Sequence, residues 1–249
     1  MKVQDPYKDF AKSYDIFGDI AEINKTRQDF FQNVFSSYGV KNILDCACGT
    51  GQHCYMFSKM GYIVQGSDIS EAMLEQARNN FIRLGITVPL TQCDFRDLKN
   101  HFNNEFDAVV CLTTSLPHVH EERELIKALV SMKNVLKDKG IVIITQGTTH
   151  NSLRPEYRIE VVVNNNEFSR VFIKDIAKGL QTINILDIYH SQERNESQFH
   201  QVIYKILLDD DYKRLLKKAG FKKIKILGGY DMKPYNSEKS WQLIVIGEK

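Results

Sequence analysis

Three acids close three successive strand-like runs in the first half of this 249-residue chain. Asp45 ends "NILD", Asp68 ends "YIVQGSD", and Asp94 follows "LTQC" with Phe95 behind it. Between the first and second acids lies "CACGTG", a stretch of small residues with Gly49 and Gly51. Glycines at a strand-to-helix turn admit positive φ and let a ligand approach the main chain. The free N–H groups of the following helix can receive a carboxylate or a phosphate. A carboxylate at the end of the second strand can accept both hydroxyls of a ribose. One at the end of the third can accept from an adenine amino group while the neighbouring ring stacks. Each feature has a plainer alternative: a tight turn for the glycines, a helix cap for Asp68, a solvated loop for Asp94. Their placement at successive strand ends favours one nucleoside ligand with a polar tail.

The dinucleotide fingerprint G-x-G-x-x-G is incomplete, because Cys54 stands where the third glycine belongs. Asp45 precedes the glycines by four residues, an arrangement that suits S-adenosylmethionine better than NAD. His118 and His120 precede Glu121 and Glu122, which raises a divalent metal as an alternative; the expectation is no metal. The five cysteines, Cys46, Cys48, Cys54, Cys93 and Cys111, read as buried free thiols, since the cluster lacks the second pair of a zinc site.

The elements that must hold these residues follow from periodicity. Residues 20–37 predict a helix with Phe30, Phe31, Val34 and Phe35 on its apolar face. Strands are expected at 41–46, 62–68, 87–95, 106–112 and 141–147. Helices are expected at 52–60, at 70–85 (capped by Ser70, with Met73, Ala77 and Phe81 on one stripe, and closed by Gly85) and at 121–140, closed by Gly140. Near-continuous apolar strands alternating with helices predict a doubly wound, mostly parallel α/β sheet. The pattern then changes. Long strand-like runs at 156–163, 167–177, 180–190 and 197–208, with short turns between, predict an antiparallel layer. A helix at 209–220 and strands at 221–228 and 240–248 return to the main sheet. The expected organisation is 1–150 as N-terminal helices and α/β core, 151–208 as an inserted β layer (lid or oligomer contact), and 209–249 as the return.

With these residues in view, the sequence resembles the class I S-adenosylmethionine-dependent methyltransferases, through Asp45-Cys46-Ala47-Cys48-Gly49-Thr50-Gly51 followed by Asp68 and Asp94. Within them it is similar to glycine N-methyltransferase and related small-molecule N-methyltransferases, on "NKTR", "FDAVVCLTTSLPHV", "GIVIIT" and "LGGYDMKPYN". The resemblance implies a seven-stranded Rossmann-like sheet ending in a reversed hairpin strand. It implies S-adenosylmethionine as cofactor, with Arg27 on the cofactor carboxylate and Leu112 and His118 at cofactor contacts. Tyr14, Ala47, Ile69 and Met73 join Asp45, Gly49, Gly51, Asp68, Asp94 and Phe95 in the expected cofactor set. One departure stands out: where the family has an arginine that grips the substrate carboxylate, this chain has Gly147, with Arg154 and Arg158 as the nearby substitutes. Glycine is therefore not expected as the substrate.

The implied activity is methyl transfer to a small molecule, at an amine nitrogen. A hydroxyl or carboxyl oxygen, an NAD-dependent oxidoreductase and a non-catalytic binding protein are the alternatives. A sulfonium leaving group is already activated, so positioning does most of the work, and a base is needed only for an acceptor that arrives protonated. Tyr235, Tyr189 and His118 are the candidate acceptor-side residues, with Tyr7, Tyr14 and Tyr204 also within the segments that could close over the site. A formal charge of +2 argues against nucleic acid or an acidic membrane surface as partner. With no apolar run near the length of a membrane span and no apolar leader, the chain is expected to be soluble and cytoplasmic, and a homo-oligomer is allowed.

Overall fold

A computed structural model describes residues 7, 10–17, 20–22, 24–103 and 105–249. In chain order the elements are α1 (Ala11–Tyr14), α2 (Lys25–Tyr38), β1 (Asn42–Asp45), α3 (Gln52–Lys59), β2 (Ile63–Asp68), α4 (Glu71–Leu84), β3 (Leu90–Gln92), β4 (Phe106–Cys111), α5 (Glu122–Asn134), β5 (Leu136–Gln146), β6 (Ile159–Asn164), β7 (Phe168–Ala177), β8 (Leu180–His190), β9 (Asn195–Lys205), α6 (Asp209–Lys218), β10 (Lys222–Leu227) and β11 (Leu243–Glu248). Short 3-10 turns lie at Asp15–Phe17, Leu98–Asn100, Leu116–His118 and Pro155–Tyr157.

The first sheet has seven strands in the order β10-β11-β5-β4-β1-β2-β3. β1 pairs in parallel with β2 and β4, β2 with β3, and β4 with β5; the pairings of β11 with β10 and with β5 are antiparallel. Helices cover both faces, so Ile43, Leu44, Val109, Val110, Ile143 and Val245 are fully buried, as the strands of a doubly covered parallel sheet require. One core lies under α5 and α6, the other under α2, α3 and α4. The second sheet is antiparallel, in the order β6-β7-β8-β9.

Local signals explain several boundaries. Asn24 caps α2, its side chain accepting from Arg27 N–H at 3.0 Å, so the helix starts later than residue 20. Ser70 caps α4 by accepting from Met73 N–H at 3.2 Å, and Gly85 ends it in the left-handed region at φ 63°. β3 is shorter than 87–95.

The expected helix over 121–140 requires correction. α5 stops at Asn134, and the chain enters β5 at Leu136. Helical periodicity persists through "KNVLKDK", but buried Leu136 pairs with Phe106 at the start of β4 instead. Gly140 is therefore a strand residue, not a cap: a Cβ there would meet Lys137 O at 2.9 Å and Asp107 O at 3.1 Å. Lys137 is likewise no helix end; its ammonium pairs with Asp107 at 2.8 Å.

The two sheets are joined through buried polar contacts. Gln146 Nε2 donates to Leu207 O at 2.7 Å, and Tyr212 Oη donates to Gln146 Oε1 at 2.6 Å. The Thr148 hydroxyl donates to Gln181 Oε1 at 2.9 Å.

Candidate active site

The carboxyl ends of β1, β2 and β4 and the residues after β3 open onto a cavity of about 880 Å3. The turn after β1 forms its floor. Cys46 N–H donates to Val110 O and Cys48 N–H to Ser67 O, which ties the turn to both neighbouring strands. Gly49 has φ 52° and no atom within 4 Å of a would-be Cβ, so its Cα face is open. Gly51 is a glycine for a different reason. At φ 91° its Cβ would lie 2.5 Å from Phe81 Cε1 on α4, so its smallness serves helix packing, and it does not line the cavity.

Asp68 and Asp94 both line this one cavity, which puts the two strand ends on the same rim. Asp68 accepts from Gly49 N–H through Oδ2 and from Ser70 N–H through Oδ1, each at 2.9 Å. Asp94 is held by Arg96, which donates Nε at 3.0 and 2.9 Å to the two oxygens and Nη2 at 2.5 Å to Oδ2, and whose Nη1 donates to Glu124 at 3.2 Å. Burial alone would raise the Asp94 carboxyl, but the Arg96 bonds outweigh it and hold it below the usual range.

Two buried polar atoms beside the turn lack a protein partner: Oδ2 of Asp45 and Nε of Arg27. The other Asp45 oxygen accepts from Ala47 N–H at 3.3 Å. Burial lifts the Asp45 carboxyl to about 7; the Ala47 N–H works against this and the Asp68 charge adds to it. Arg27 donates Nη1 to His53 Nε2 at 3.3 Å, and its guanidinium lies 5.2 Å from the Tyr230 ring centre. Nε2 of His53 is thus an acceptor, and burial, helped by the Arg27 charge, holds that imidazole neutral with a pKa of about 3. A buried acceptor and a buried donor left open beside the same turn fit the ammonium and carboxylate of an amino-acid tail.

The roof comes from the N-terminal segment and the antiparallel sheet. Asp15 fastens the segment to the core: its carboxylate accepts from the Thr50 hydroxyl at 2.5 Å, Gln76 Nε2 at 3.2 Å and Asn80 Nδ2 at 2.8 Å. The buried pair Arg170–Asp187 fastens it to the sheet, since Arg170 Nη2 also donates to Ser13 O at 3.0 Å and its guanidinium lies 4.8 Å from the Phe10 ring centre. Between these anchors, the Tyr7 hydroxyl and His118 Nε2 stand 2.7 Å apart, and the Tyr204 ring packs edge-on to His118 at 4.7 Å. Burial, with His120 nearby, pulls His118 down to about 4, so its imidazole is neutral at neutral pH. Burial keeps the Tyr7, Tyr14 and Tyr204 phenols protonated.

Of the expected site residues, Tyr14, Arg27, Ala47, Gly49, Asp68, Ile69, Met73, Asp94, Phe95 and His118 line the cavity. Asp45 lies beneath the turn, 1% exposed, and Leu112 is a core residue at the end of β4, 1% exposed. Tyr189 and Tyr235 are not brought to the cavity. Tyr189 packs on Phe168 within the second sheet, under the Arg194 guanidinium. Tyr235 bonds to His150 N–H at 3.3 Å, in a separate groove beside α6 and β10. Arg154 donates to Glu238 O and Arg158 pairs with Asp175, so neither replaces the arginine expected near Gly147.

Sequence reading missed Asp15, Thr50, His53, Arg96 and the β9 stretch Gln201–Ile203, all at the cavity. Thr113 and Thr114, just past β4, have φ of 54° and 69°, uncommon for β-branched residues. Thr145 holds them, accepting from Thr113 N–H through its hydroxyl at 3.0 Å and from Thr114 N–H through its carbonyl at 2.9 Å. The "TT" pair carries no sequence mark of that conformation. Among the described residues no group of three His, Cys, Asp or Glu is placed to hold a metal, and no helix is long and apolar enough to cross a membrane.

The fold and the cavity define a Rossmann-like methyltransferase architecture, and comparison with known proteins agrees. Residues 43–140 match the family described as "Methyltransferase domain". That match covers less than half of the chain, and the fold is like that of solved S-adenosylmethionine-dependent methyltransferases. It is similar to a glycine/sarcosine N-methyltransferase of Parasynechococcus marenigrum (strain WH8102), 34% identical over 57% of this chain and 50% of the relative. It is also similar to a glycine/sarcosine N-methyltransferase of Halorhodospira halochloris, 27% identical over 89% of this chain and 80% of the relative. The match thus spans about half the length of the first of these. Among solved structures, an S-adenosylmethionine-dependent methyltransferase from Clostridium acetobutylicum ATCC 824 superposes with a TM-score of 0.80 at 20% identity, covering 98% of this chain and 99% of that one.

Proposed function

We propose that this chain transfers a methyl group from S-adenosylmethionine to an amine nitrogen of a small molecule. The observation that carries the reading is the pair of buried atoms without a protein partner, Asp45 Oδ2 beneath the turn and Arg27 Nε at the cavity wall, near a Gly49 main chain with space above it. The relatives named as N-methyltransferases support the amine. When bound, S-adenosylmethionine would supply a methyl group on a positively charged sulfur, already primed for displacement. Arg27 would hold its carboxylate, Asp45 its ammonium and Asp68 its ribose, with Ile69, Met73 and Phe95 against the base. Asp68 would share its oxygens between the ribose and the Gly49 and Ser70 N–H groups.

The acceptor side is formed by His118, Tyr7, Ser115 and the β9 edge at Gln201–Ile203, with Tyr204 packed behind His118. An amine is protonated near neutral pH and must lose that proton before it attacks. His118 is neutral and can accept it, though its low pKa makes it a weak base whose larger effect is to position the amine through a hydrogen bond. Tyr7 orients that ring. The roof excludes water, so that approach geometry rather than strong acid–base chemistry carries the rate.

Calorimetric titration with S-adenosylmethionine and with NAD tests the cofactor: binding of the first and not the second is expected, and the reverse overturns the reading. Transfer of labelled methyl from S-adenosylmethionine to an amine panel tests the activity. Transfer to hydroxyls but not to amines would replace the amine with oxygen.

A further inference from the structure

We infer that the amine acceptor carries no free carboxylate, unlike the glycine and sarcosine in the relatives' names. The inference rests on the methyltransferase reading above and comes from the charges around the cavity. Among the described lining residues there are five carboxylates, Asp15, Asp68, Asp94, Glu121 and Glu124, against two guanidinium groups, Arg27 and Arg96, and no lysine.

Neither guanidinium is left over for an acceptor. Arg27 gives one N–H to His53 and lies against Tyr230, and in the methyltransferase reading its other donors would be taken by the carboxylate of the cofactor. Every nitrogen of Arg96 already bonds a carboxylate oxygen of Asp94 or Glu124, so that three-residue cluster carries a net negative charge. His53 and His118 do not compensate. Both are neutral, held at about 3 and about 4, and His120 commits Nε2 as donor to Ile203 O at 3.2 Å.

A helix N-terminus can seat a carboxylate when no cation does. Here α5 begins beside the cavity, but Glu121 stands at its N-cap position and Glu122 and Glu124 in its first turn. These charges already meet the helix dipole and repel a second anion. S-adenosylmethionine brings a single net positive charge, which leaves the lined space acidic. An acceptor carboxylate would be desolvated against this field with no cation to meet it. A neutral or cationic amine, such as a hydroxylated one, meets donors and acceptors in Tyr7, Ser115 and Gln201.

The test measures methyl transfer from labelled S-adenosylmethionine to amines offered in matched pairs. Ethanolamine is set against glycine, and N-methylethanolamine against sarcosine, the amines of each pair being similarly basic; glucosamine is added as a larger hydroxylated amine. Cofactor binding is followed calorimetrically in parallel. Carboxylate-free amines are expected to exceed their amino-acid partners by ~100-fold in kcat/KM. Glycine or sarcosine methylated as efficiently as its partner overturns the inference while leaving the methyltransferase reading intact. A chain that binds the cofactor and methylates none of these amines sinks the amine reading, and the inference with it. In a Glu121→Gln, Glu124→Gln double variant the preference should narrow by ~10-fold, with cofactor affinity as the check on folding. An unchanged ratio would mean that these two acids do not set the selection.

Discussion

Asp68 and Gly49 are tied across the mouth of the cavity: the Gly49 N–H donates to Oδ2 of Asp68 at 2.9 Å, while Oδ1 accepts from Ser70 N–H. One carboxylate therefore holds both the glycine turn and the start of α4. Asp68→Ala removes two charge-assisted bonds at once, each of a kind worth about 1.5–3 kcal/mol. The expected result is a lower melting temperature without cofactor and S-adenosylmethionine binding weaker by ~1–3 kcal/mol, read by calorimetry. A melting-temperature loss with unchanged affinity would make Asp68 a structural cap and nothing more.

The two glycines of the turn should separate under substitution. Gly49→Ala meets open space, so only the left-handed backbone, at about 1–2 kcal/mol, acts against the fold, while the new methyl enters the ligand's path. Gly51→Ala places its Cβ 2.5 Å from the Phe81 ring at φ 91°, which forces that buried ring out of its place against the turn. Differential scanning calorimetry should show the larger loss for Gly51→Ala. Cofactor titration of the folded fraction should show the larger affinity loss for Gly49→Ala. Equal effects on both readouts would mean that Gly49 does not face the ligand.

Much of this arrangement could be read from the sequence, for a physical reason. Apolar runs ending in Asp45, Asp68 and Asp94 are local signals, and parallel strands bring their ends to one rim without further information. The caps at Ser70 and Gly85 were equally local. What could not be read depends on contacts distant in sequence. Asp15 reaches Thr50, Gln76 and Asn80 from the N-terminal segment, and β9 reaches the cavity from beyond residue 200; neither has a motif. Arg96 has no motif either, yet its bonds to Asp94 and Glu124 link two of the carboxylates that line the cavity. The end of α5 was misread because helical periodicity continues past Asn134, where strand pairing of Leu136 overrides it. Tyr235 was placed at the acceptor by a likeness in its loop, but that loop folds against β10 and His150.

The buried Arg170–Asp187 pair, with both side chains fully inaccessible, holds the N-terminal segment over the cavity through Ser13 O. Removing one partner strands a charge, so Asp187→Asn should cost about 3–5 kcal/mol in urea unfolding. The double variant Arg170→Met, Asp187→Leu should recover much of that stability, because an apolar pair needs no desolvated charges. It also deletes the bond to Ser13 O, so cofactor affinity should stay below that of the unmodified chain after stability returns. Full recovery of both would remove the pair from any part in closing the site.

Acid acts on the stability of the fold through His118, His53 and Asp45. His118 has its pKa pulled down to about 4 by burial, from the usual 6.5 of an imidazole. In that pH interval the unfolded chain binds a proton that the folded chain refuses, so the group contributes stability near neutral pH and loses it as pH falls from 6.5 towards 4. His53, held at about 3, acts in the same direction. Asp45, raised to about 7, acts oppositely: the folded chain keeps a proton the unfolded chain releases, and its contribution shrinks as pH rises from about 4 to 7. The net slope mixes the three, so the decisive comparison is with His118→Asn, which cannot titrate. Each pH unit of protonation difference is worth about 1.4 kcal/mol, so between pH 6.5 and 5 the unmodified chain should lose up to ~2 kcal/mol more than the variant, measured by denaturant unfolding at each pH. Methyl transfer should not fall on acidification through a His118 protonation until well below pH 6. Parallel stability slopes in the two proteins would show that His118 titrates as an ordinary exposed histidine, and its part as a neutral hydrogen-bond partner for the amine would fail with it.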